Sequence, residues 1–308
     1  MILKHQIKTS SGLVHIRTLH SLEEMYPLID LQRQIWGFGQ VGSDPPCPAR
    51  TMFALSESGG HLSAAFLDDL AIGFSVAWMG QLKEYNKPYL HSQMLGVLKE
   101  YRHLNIGYNL KLHQRSFALE NGIKIIKWTF DPLRTANSNL NVRKLGSVVS
   151  TYHCDYYGGI ASHFTQELPT DRVWAEWHLD SKRVKDRLCS PSQPMERKPD
   201  LIQVNKVRLG EESKLAVKFI ECDLERSEKQ LLVEVPDDFN VICQENQSIA
   251  LDWRKKIRKI LQYYFNQGYV VSDFLVVSGL PRQTFYLLNK DPLSKILEAS
   301  NSYLMGKD

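Results

Sequence analysis

Hydrophobic and polar positions in the first part of the chain follow two periods in turn, one of about two residues and one of about 3.6. Val14 to Leu19 alternates as a strand does, and Ser21 with Glu24 three residues on has the form of a capping box opening a helix towards Trp36. Pro27 falls early in that helix and is expected to delay or kink its start. Gly37, Gly39 and the Pro45-Pro46-Cys47-Pro48 cluster form a loop, Arg50 to Leu55 begins a second helix, and Gly59-Gly60 ends it. His61 to Leu67, an Asp68-Asp69 turn and Ala71 to Met79 make a hairpin rich in β-branched and aromatic residues.

Tyr89 to Val97 is a third strand, which leads into YRHLNIGYNLKLHQRSFALENG, helical from about Ile106 with Leu110 and Phe117 on its apolar face and Gly122 after its end. Ile123 to Phe130 is a nearly continuous apolar run, the pattern of a parallel strand buried on both faces. Strand, turn, helix and strand therefore succeed one another within about forty residues, the βαβ arrangement.

Further on lie a short helical stretch around Ser138 to Leu145, the aromatic run Tyr152 to Gly158 and a strand at Val173 to Leu179. Ser190 to Asp200, SPSQPMERKPD, combines prolines with charge and serine and reads as a linker. Past it come a strand at Leu231 to Val235, a helix at Gln247 to Gln267 with Ile249, Trp253, Ile257, Ile260 and Tyr264 on one face, and a strand at Tyr269 to Val277. The expected organisation is a domain over 1–189, a linker over 190–200 and a smaller α+β unit over 201–308.

Composition narrows the partners. A chain of 308 residues that is 43% hydrophobic can bury a substantial core. Its formal net charge of +4 is a mild basic excess spread along the sequence, so no nucleic-acid partner is expected. The five cysteines are scattered, with neither a CxxC pair nor Cys/His metal-ligand spacing, which argues for a reducing compartment and against a metal site. The segment MILKHQIKTSSG lacks the apolar core of a signal peptide, and no run of about eighteen apolar residues occurs, so neither membrane insertion nor secretion is expected and the location is read as cytoplasmic.

The candidate chemistry centres on Met94-Leu95-Gly96-Val97-Leu98-Lys99-Glu100-Tyr101-Arg102-His103-Leu104-Asn105-Ile106-Gly107, a strand end, an Arg-bearing turn and a helix start. Such a turn gathers unpaired backbone N–H groups with the positive end of a helix dipole and suits a pyrophosphate. The segment resembles the acyl-CoA signature of the GNAT superfamily of N-acyltransferases, Arg or Gln, two residues, Gly, one residue, then Gly or Ala, with Arg102, Asn105 and Gly107 at those positions. Asparagine stands for the first glycine and is among the few other residues that tolerate a left-handed backbone. Phe130-Asp131-Pro132-Leu133, Asn137, Asn139, Asn141, Lys144-Leu145-Gly146, Asp155-Tyr156-Tyr157-Gly158 and Pro169-Thr170-Asp171-Arg172 resemble a longer subgroup of that superfamily. The resemblance covers roughly residues 14 to 180 and continues more loosely through VEVPDDF, DWR and QGYVVSDF.

What the resemblance implies is a mixed α/β fold, a GNAT-like central sheet with flanking helices, followed by a smaller C-terminal α+β unit that completes or covers the acceptor site. The reaction it implies is direct attack of a primary amine on the thioester of an acyl-CoA co-substrate, acetyl-CoA or a larger one, without a metal. Backbone amides from Leu104 through Asn105 and Ile106 to Gly107, with Arg102 and His103 on the turn, would hold the pyrophosphate. A backbone N–H near Leu95, Gly96 or Val97 would polarise the carbonyl oxygen. Val142 occupies the usual place of the tyrosine that protonates the thiolate; Tyr152, Tyr156 or Tyr157 could substitute, or with Asp155 could simply pack and bond a turn. His91 or Asp131 could take the amine proton.

Asn137, Asn139 and Asn141 would flank the pantetheine arm or cap a helix. Asp171, Arg172 and Trp174 could face an acceptor pocket or form a surface ion pair, while Trp253 reads as core and Arg254 as able to reach an anionic acyl or acceptor group. The expected acceptor is a small-molecule amine such as an amino acid. A non-catalytic acyl-CoA-binding protein and a protein lysine or N-terminal acyltransferase are the alternatives, and edge strands or the C-terminal unit could pair two copies into a homodimer.

Overall fold

The alternation read between Gly12 and Met79 becomes an antiparallel meander whose two faces are covered by helices. The computed structural model describes residues 5–38, 46–82, 87–158, 168–189, 201–209, 217–279 and 282–299. Two units make up the chain, Met1–Trp128 with Ile160–Gln166, and Thr129–Gly159 with Glu167–Asp308. The mixed α/β class is as expected. The partition falls at Trp128/Thr129, whereas the expected boundary is the stretch 190–200, which lies outside the described residues, as do Gly39 and Pro45 of the first loop.

In the first unit the elements are β1 (His5–Thr9), β2 (Gly12–Thr18), α1 (Leu22–Trp36), α2 (Ala49–Glu57), β3 (His61–Leu67), β4 (Leu70–Leu82), β5 (Lys87–Val97), a 3-10 turn (Lys99–Leu104), α3 (Ile106–Glu120) and β6 (Ile125–Phe130), whose last two residues are counted with the second unit. Strand order follows chain order, β1-β2-β3-β4-β5-β6. Neighbours are antiparallel except β5 and β6, which run parallel because α3 carries the chain back.

The capping box at Ser21 forms as read: Ser21 Oγ accepts from Glu24 N–H, and the Glu24 carboxylate accepts from the backbone of His20 and Ser21. Helix α1 starts at Leu22, ahead of Pro27, so the proline does not delay it; the caps at Ser21 and at left-handed Gly37 fix both ends. Met25, Leu28, Leu31 and Ile35 of α1 and Met52 of α2 cover Leu62, Ala64, Phe74 and Val76 on one face of the sheet. On the other, Ile106 and Leu110 of α3 cover Val14, Ile16, Ala65 and Ile72. Ile72 and Phe74 reach opposite layers although two apart, because Ile72 is an extra residue between the pairs Ala65↔Gly73 and Phe66↔Ala71.

The second unit contains α4 (Thr135–Ser138), a π turn (Asn139–Lys144), β7 (Val148–His153), β8 (Arg172–His178), α5 (Lys182–Cys189), β9 (Ile202–Gln203), β10 (Asn205–Leu209), β11 (Val217–Cys222), β12 (Gln230–Val235), α6 (Phe239–Glu245), α7 (Gln247–Asn266), β13 (Val270–Val277), β14 (Gln283–Asn289) and α8 (Leu293–Glu298). Its strands follow the order β8-β7-β13-β14-β12-β9, parallel only at β12 and β9, and β10 with β11 forms a separate ribbon. Leu232, Leu275, Phe285 and Leu287 form one core cluster of this sheet. Helix α7, opened by Asn246 accepting from Ile249 N–H, buries Trp253, Ile257, Ile260 and Tyr264 on the predicted face.

Candidate functional site

In the first unit the turn between β5 and α3 is shaped by one residue. Leu98 N–H donates to Ile72 O at 2.9 Å and closes the end of β5. The 3-10 turn follows, with Tyr101 N–H on Leu98 O and Arg102 Nε on Val97 O at 3.1 Å. Asn105 then adopts φ 57°, ψ 22°, the left-handed conformation. Its side chain does not cap α3; its carbonyl accepts both Asn109 N–H and Asn109 Nδ2. The reversal sends Leu104 and Ile106 into the core and leaves Arg102, His103 and Asn105 exposed beside the first turn of α3, whose leading N–H groups have no partner within the helix.

Strand β5 itself is irregular. Val76 faces Met94 and Ala77 faces Ser92, so Gln93 is an extra residue opposite β4. Leu90 and His91, just ahead of it, pair with Ile126 and Lys127 of β6. Gly96 lies where a side chain does not fit: a Cβ there would sit 2.8 Å from both Ile35 Cδ1 and Trp36 Cη2.

Two groups flank the bulge on opposite faces. On the Trp78 side, His91 Nε2 lies 2.9 Å from Gln93 Oε1, and the ring is 5.1 Å from Trp78. Burial lowers its pKa, Lys111 and Lys127 lower it further, and only the Gln93 bond opposes them, so the imidazole is neutral. On the α3 side, Ser92 Oγ accepts from Lys111 Nζ at 2.7 Å and donates to Gln114 Oε1 at 2.9 Å. Lys111 is 1% exposed, its Nζ is 3.6 Å from the Trp128 ring centroid, and it forms no ion pair among the described residues, so burial pushes its pKa well down. His113 on the same helix meets His61 at 3.0 Å, and burial pulls His61 to about 3. The sequence reading missed Lys111, His113 and Gln114; for His113 and Gln114 the available signal was their place three and four positions after Leu110.

In the second unit most expected residues are engaged with one another. Asp131 Oδ1 accepts from Leu133 N–H and from Arg254 Nη1 at 2.5 Å, and Oδ2 accepts from Arg254 Nη2 at 2.7 Å. Burial pushes the Asp131 pKa up, but the attraction and hydrogen bonds of Arg254, with Arg172 and Arg134, more than offset it and hold the group at about 2. This corrects two expectations: Asp131 is a fixed anion rather than a base, and Arg254, 3% exposed, holds Asp131 rather than an external anion.

Tyr152 donates to Asp171 Oδ2 at 2.5 Å. Asp171, fully buried, also accepts from Asp155 N–H and from Arg258 Nε and Nη2. Burial first, then the Asp171 charge and hydrogen bond, push the Tyr152 phenol far above its ordinary value, and its proton is held on Asp171. Tyr156 and Tyr157, 38% and 39% exposed, are tied at the backbone to Thr170, and the Tyr157 hydroxyl is 3.4 Å from Thr129 Oγ1. Asp155 bonds the same turn through Thr170, as the packing reading of that segment had it.

None of the three asparagines is an N-cap, since Arg134 and Ser138 hold those positions in α4 and the π turn, but Asn139 is the C-cap of α4, its backbone N–H donating to Thr135 O and Ala136 O. Asn137 is exposed, Asn139 half-buried and Asn141 buried, with its carbonyl accepting from Ser147. Val142 is buried. Trp253 is core, edge-on to Phe219 at 5.2 Å. Asp171 and Arg172 are not an ion pair with each other; Asp171 pairs with Arg258 while Arg172 Nη1 donates to the Asp171 backbone carbonyl. Among the described residues there is no group of three His, Cys, Asp or Glu placed to hold a metal ion, and no helix is long and apolar enough to cross a membrane.

No family model and no curated protein sequence matches the chain. Solved structures do. It is similar to an acetyltransferase of the GNAT family from Streptococcus pneumoniae, with 15% identity and a TM-score of 0.41 over 53% of this chain and 97% of that one. It is similar to Arabidopsis thaliana Naa50, solved with a bisubstrate analogue containing CoA, with 16% identity and a TM-score of 0.41 over 53% of this chain and 97% of that one. It is also similar to an aminoglycoside acetyltransferase from an uncultured soil metagenomic sample, with 19% identity and a TM-score of 0.34 over 39% of this chain and 78% of that one.

Proposed function

We propose that the protein is an acyl-CoA-dependent N-acyltransferase that acts on a primary amine of a small molecule. The observation that carries this is the left-handed Asn105 between the end of β5 and α3, which leaves the exposed Arg102 beside the leading amides of α3. Those groups fit a diphosphate: several N–H donors converge at a helix start, and a guanidinium supplies charge-assisted bonds. Acyl-CoA, when bound, supplies an activated carbonyl carbon and a thiolate leaving group.

The irregular β5 suits the other end of such a ligand. The bulge at Gln93 interrupts the ladder with β4, and a backbone N–H between Leu95 and Val97 is our choice to stabilise negative charge on the carbonyl oxygen. His91, kept neutral, is our choice to take the proton that the amine loses as its nitrogen bonds to the carbonyl carbon and the carbon–sulfur bond breaks.

Calorimetric titration with acetyl-CoA, succinyl-CoA, longer acyl-CoAs and free CoA tests the reading, with wild type beside Gly107→Trp. Binding of one thioester by wild type, lost in a folded variant, is the expected result. No binding of any thioester by wild type overturns it.

A further inference from the structure

On the face of β7 and β8 opposite buried Val173 and Ala175, Arg172 stands among aromatic rings. Its guanidinium lies 5.1 Å from the Tyr157 ring centroid, and among the described residues its hydrogen bond is Nη1 to the Asp171 carbonyl at 2.9 Å. Tyr156 is perpendicular to Tyr157, with centroids 4.9 Å apart, and packs edge-on to Trp174 and His153 at 6.4 and 5.5 Å. Both tyrosine rings keep more than a third of their surface open.

The carboxylates near Arg172 are engaged by other donors. The Asp171 carboxylate is taken by Arg258, Tyr152 and the Asp155 amide, and that of Asp131 by Arg254. Arg134, Arg254 and Arg258 each have a direct carboxylate partner in Asp131 or Asp171, whereas half-buried Arg172 has no ion pair among the described residues. A half-buried guanidinium without a directly bonded carboxylate has donors to offer, and its fork matches a carboxylate with two parallel bonds. Aromatic walls at right angles offer a planar organic body both face and edge contacts.

We propose that Arg172, Tyr156, Tyr157 and Trp174 form a binding site for a small aromatic carboxylate, with the carboxylate on Arg172 and the ring against the tyrosines. All four residues belong to the second unit. Arg172 already stacked on Tyr157 holds its donors at the edge of the patch rather than free in solvent, which lowers the entropy lost on binding.

Titration of the full chain with benzoate and phenylacetate, beside their neutral counterpart benzamide, and with acetate and inorganic phosphate as simple anions, is decisive. Benzoate is expected to bind at least about 10-fold tighter than benzamide and than acetate. Arg172→Gln is expected to remove that preference, Arg172→Lys to keep part of it, and Tyr156→Ala to weaken benzoate more than acetate. Raising the salt should weaken benzoate binding in wild type and Arg172→Lys, a readout that remains if Arg172→Gln fails to fold. Equal binding of benzoate and benzamide, equal binding of benzoate and phosphate, an unchanged affinity in folded Arg172→Gln, or no benzoate binding at up to about 10 mM each overturns the proposal.

Discussion

Asp131 and Arg254, 123 positions apart in sequence, meet through two nearly parallel hydrogen bonds in a buried setting. Arg254→Met leaves the carboxylate buried without its counter-charge and should cost about 3–5 kcal/mol of stability. The double variant Asp131→Asn with Arg254→Met removes both charges, keeps an oxygen for the Leu133 N–H, and should recover most of the loss. Denaturant titration of the wild type and three variants checks it; a double variant no better than Arg254→Met refutes the coupling.

The same pair fixes an acid dependence. The Asp131 pKa is held at about 2 in the folded protein, below its value of about 3.9 in an unfolded chain, so the unfolded chain binds more protons between the two. The stabilisation is therefore complete above about pH 4 and lost as pH falls through the folded value. The melting-temperature gap between wild type and Asp131→Asn should be constant from neutral pH to about pH 4.5 and close below it.

Lys111 has the opposite consequence. Its folded pKa lies well below the unfolded value of about 10.4, so protonating it penalises the folded state, and stability rises with pH across that interval. Lys111→Met keeps the packing on Trp128 and should be more stable than wild type by about 1–3 kcal/mol at neutral pH. That advantage should shrink as pH approaches the unfolded value; an advantage independent of pH would assign it to packing instead.

Tyr152→Phe removes one of the four donors on the Asp171 carboxylate and should cost about 1–2 kcal/mol. On the proposed reaction it should leave turnover within about threefold of wild type, because the phenol proton is held by Asp171. A kcat lower by about 100-fold in a folded Tyr152→Phe would restore that tyrosine as the acid.

Asn105→Gly should be near neutral for stability, since glycine adopts φ 57° freely, whereas Asn105→Val should cost about 1–3 kcal/mol. Thermal melts of the two variants check this, and CoA titrations of both show whether the turn's shape matters to the ligand.

Much of this fold was legible because local chemistry settles it. Ser21 with Glu24, the Asp68-Asp69 turn and the stripe on α7 each declare an element without help from distant residues. What was not legible depends on partners far along the chain. Nothing around Asp131 announces that Arg254 will neutralise it, and nothing around Tyr152 announces Asp171. Strand β7 was missed because its burial pattern is only partly alternating, and α5 because Arg183 and Arg187, polar by type, are buried on carbonyls and Asp273. Chemistry-bearing residues can be nominated from sequence, but their protonation states belong to the packed structure.

The extra residue in β5 also resets the strand's parity. His91 and Met94 share the layer of Trp78 and Val76, while Ser92 and Leu95 share the layer of α3, although each couple is an odd number of positions apart. Gln93 thus works as a phase shift: the half that pairs with β6 and the half that feeds the turn each keep their own inward-facing set. Deleting that single codon would force one half to turn its apolar side chains to the wrong layer, a frame error written in geometry rather than in the message.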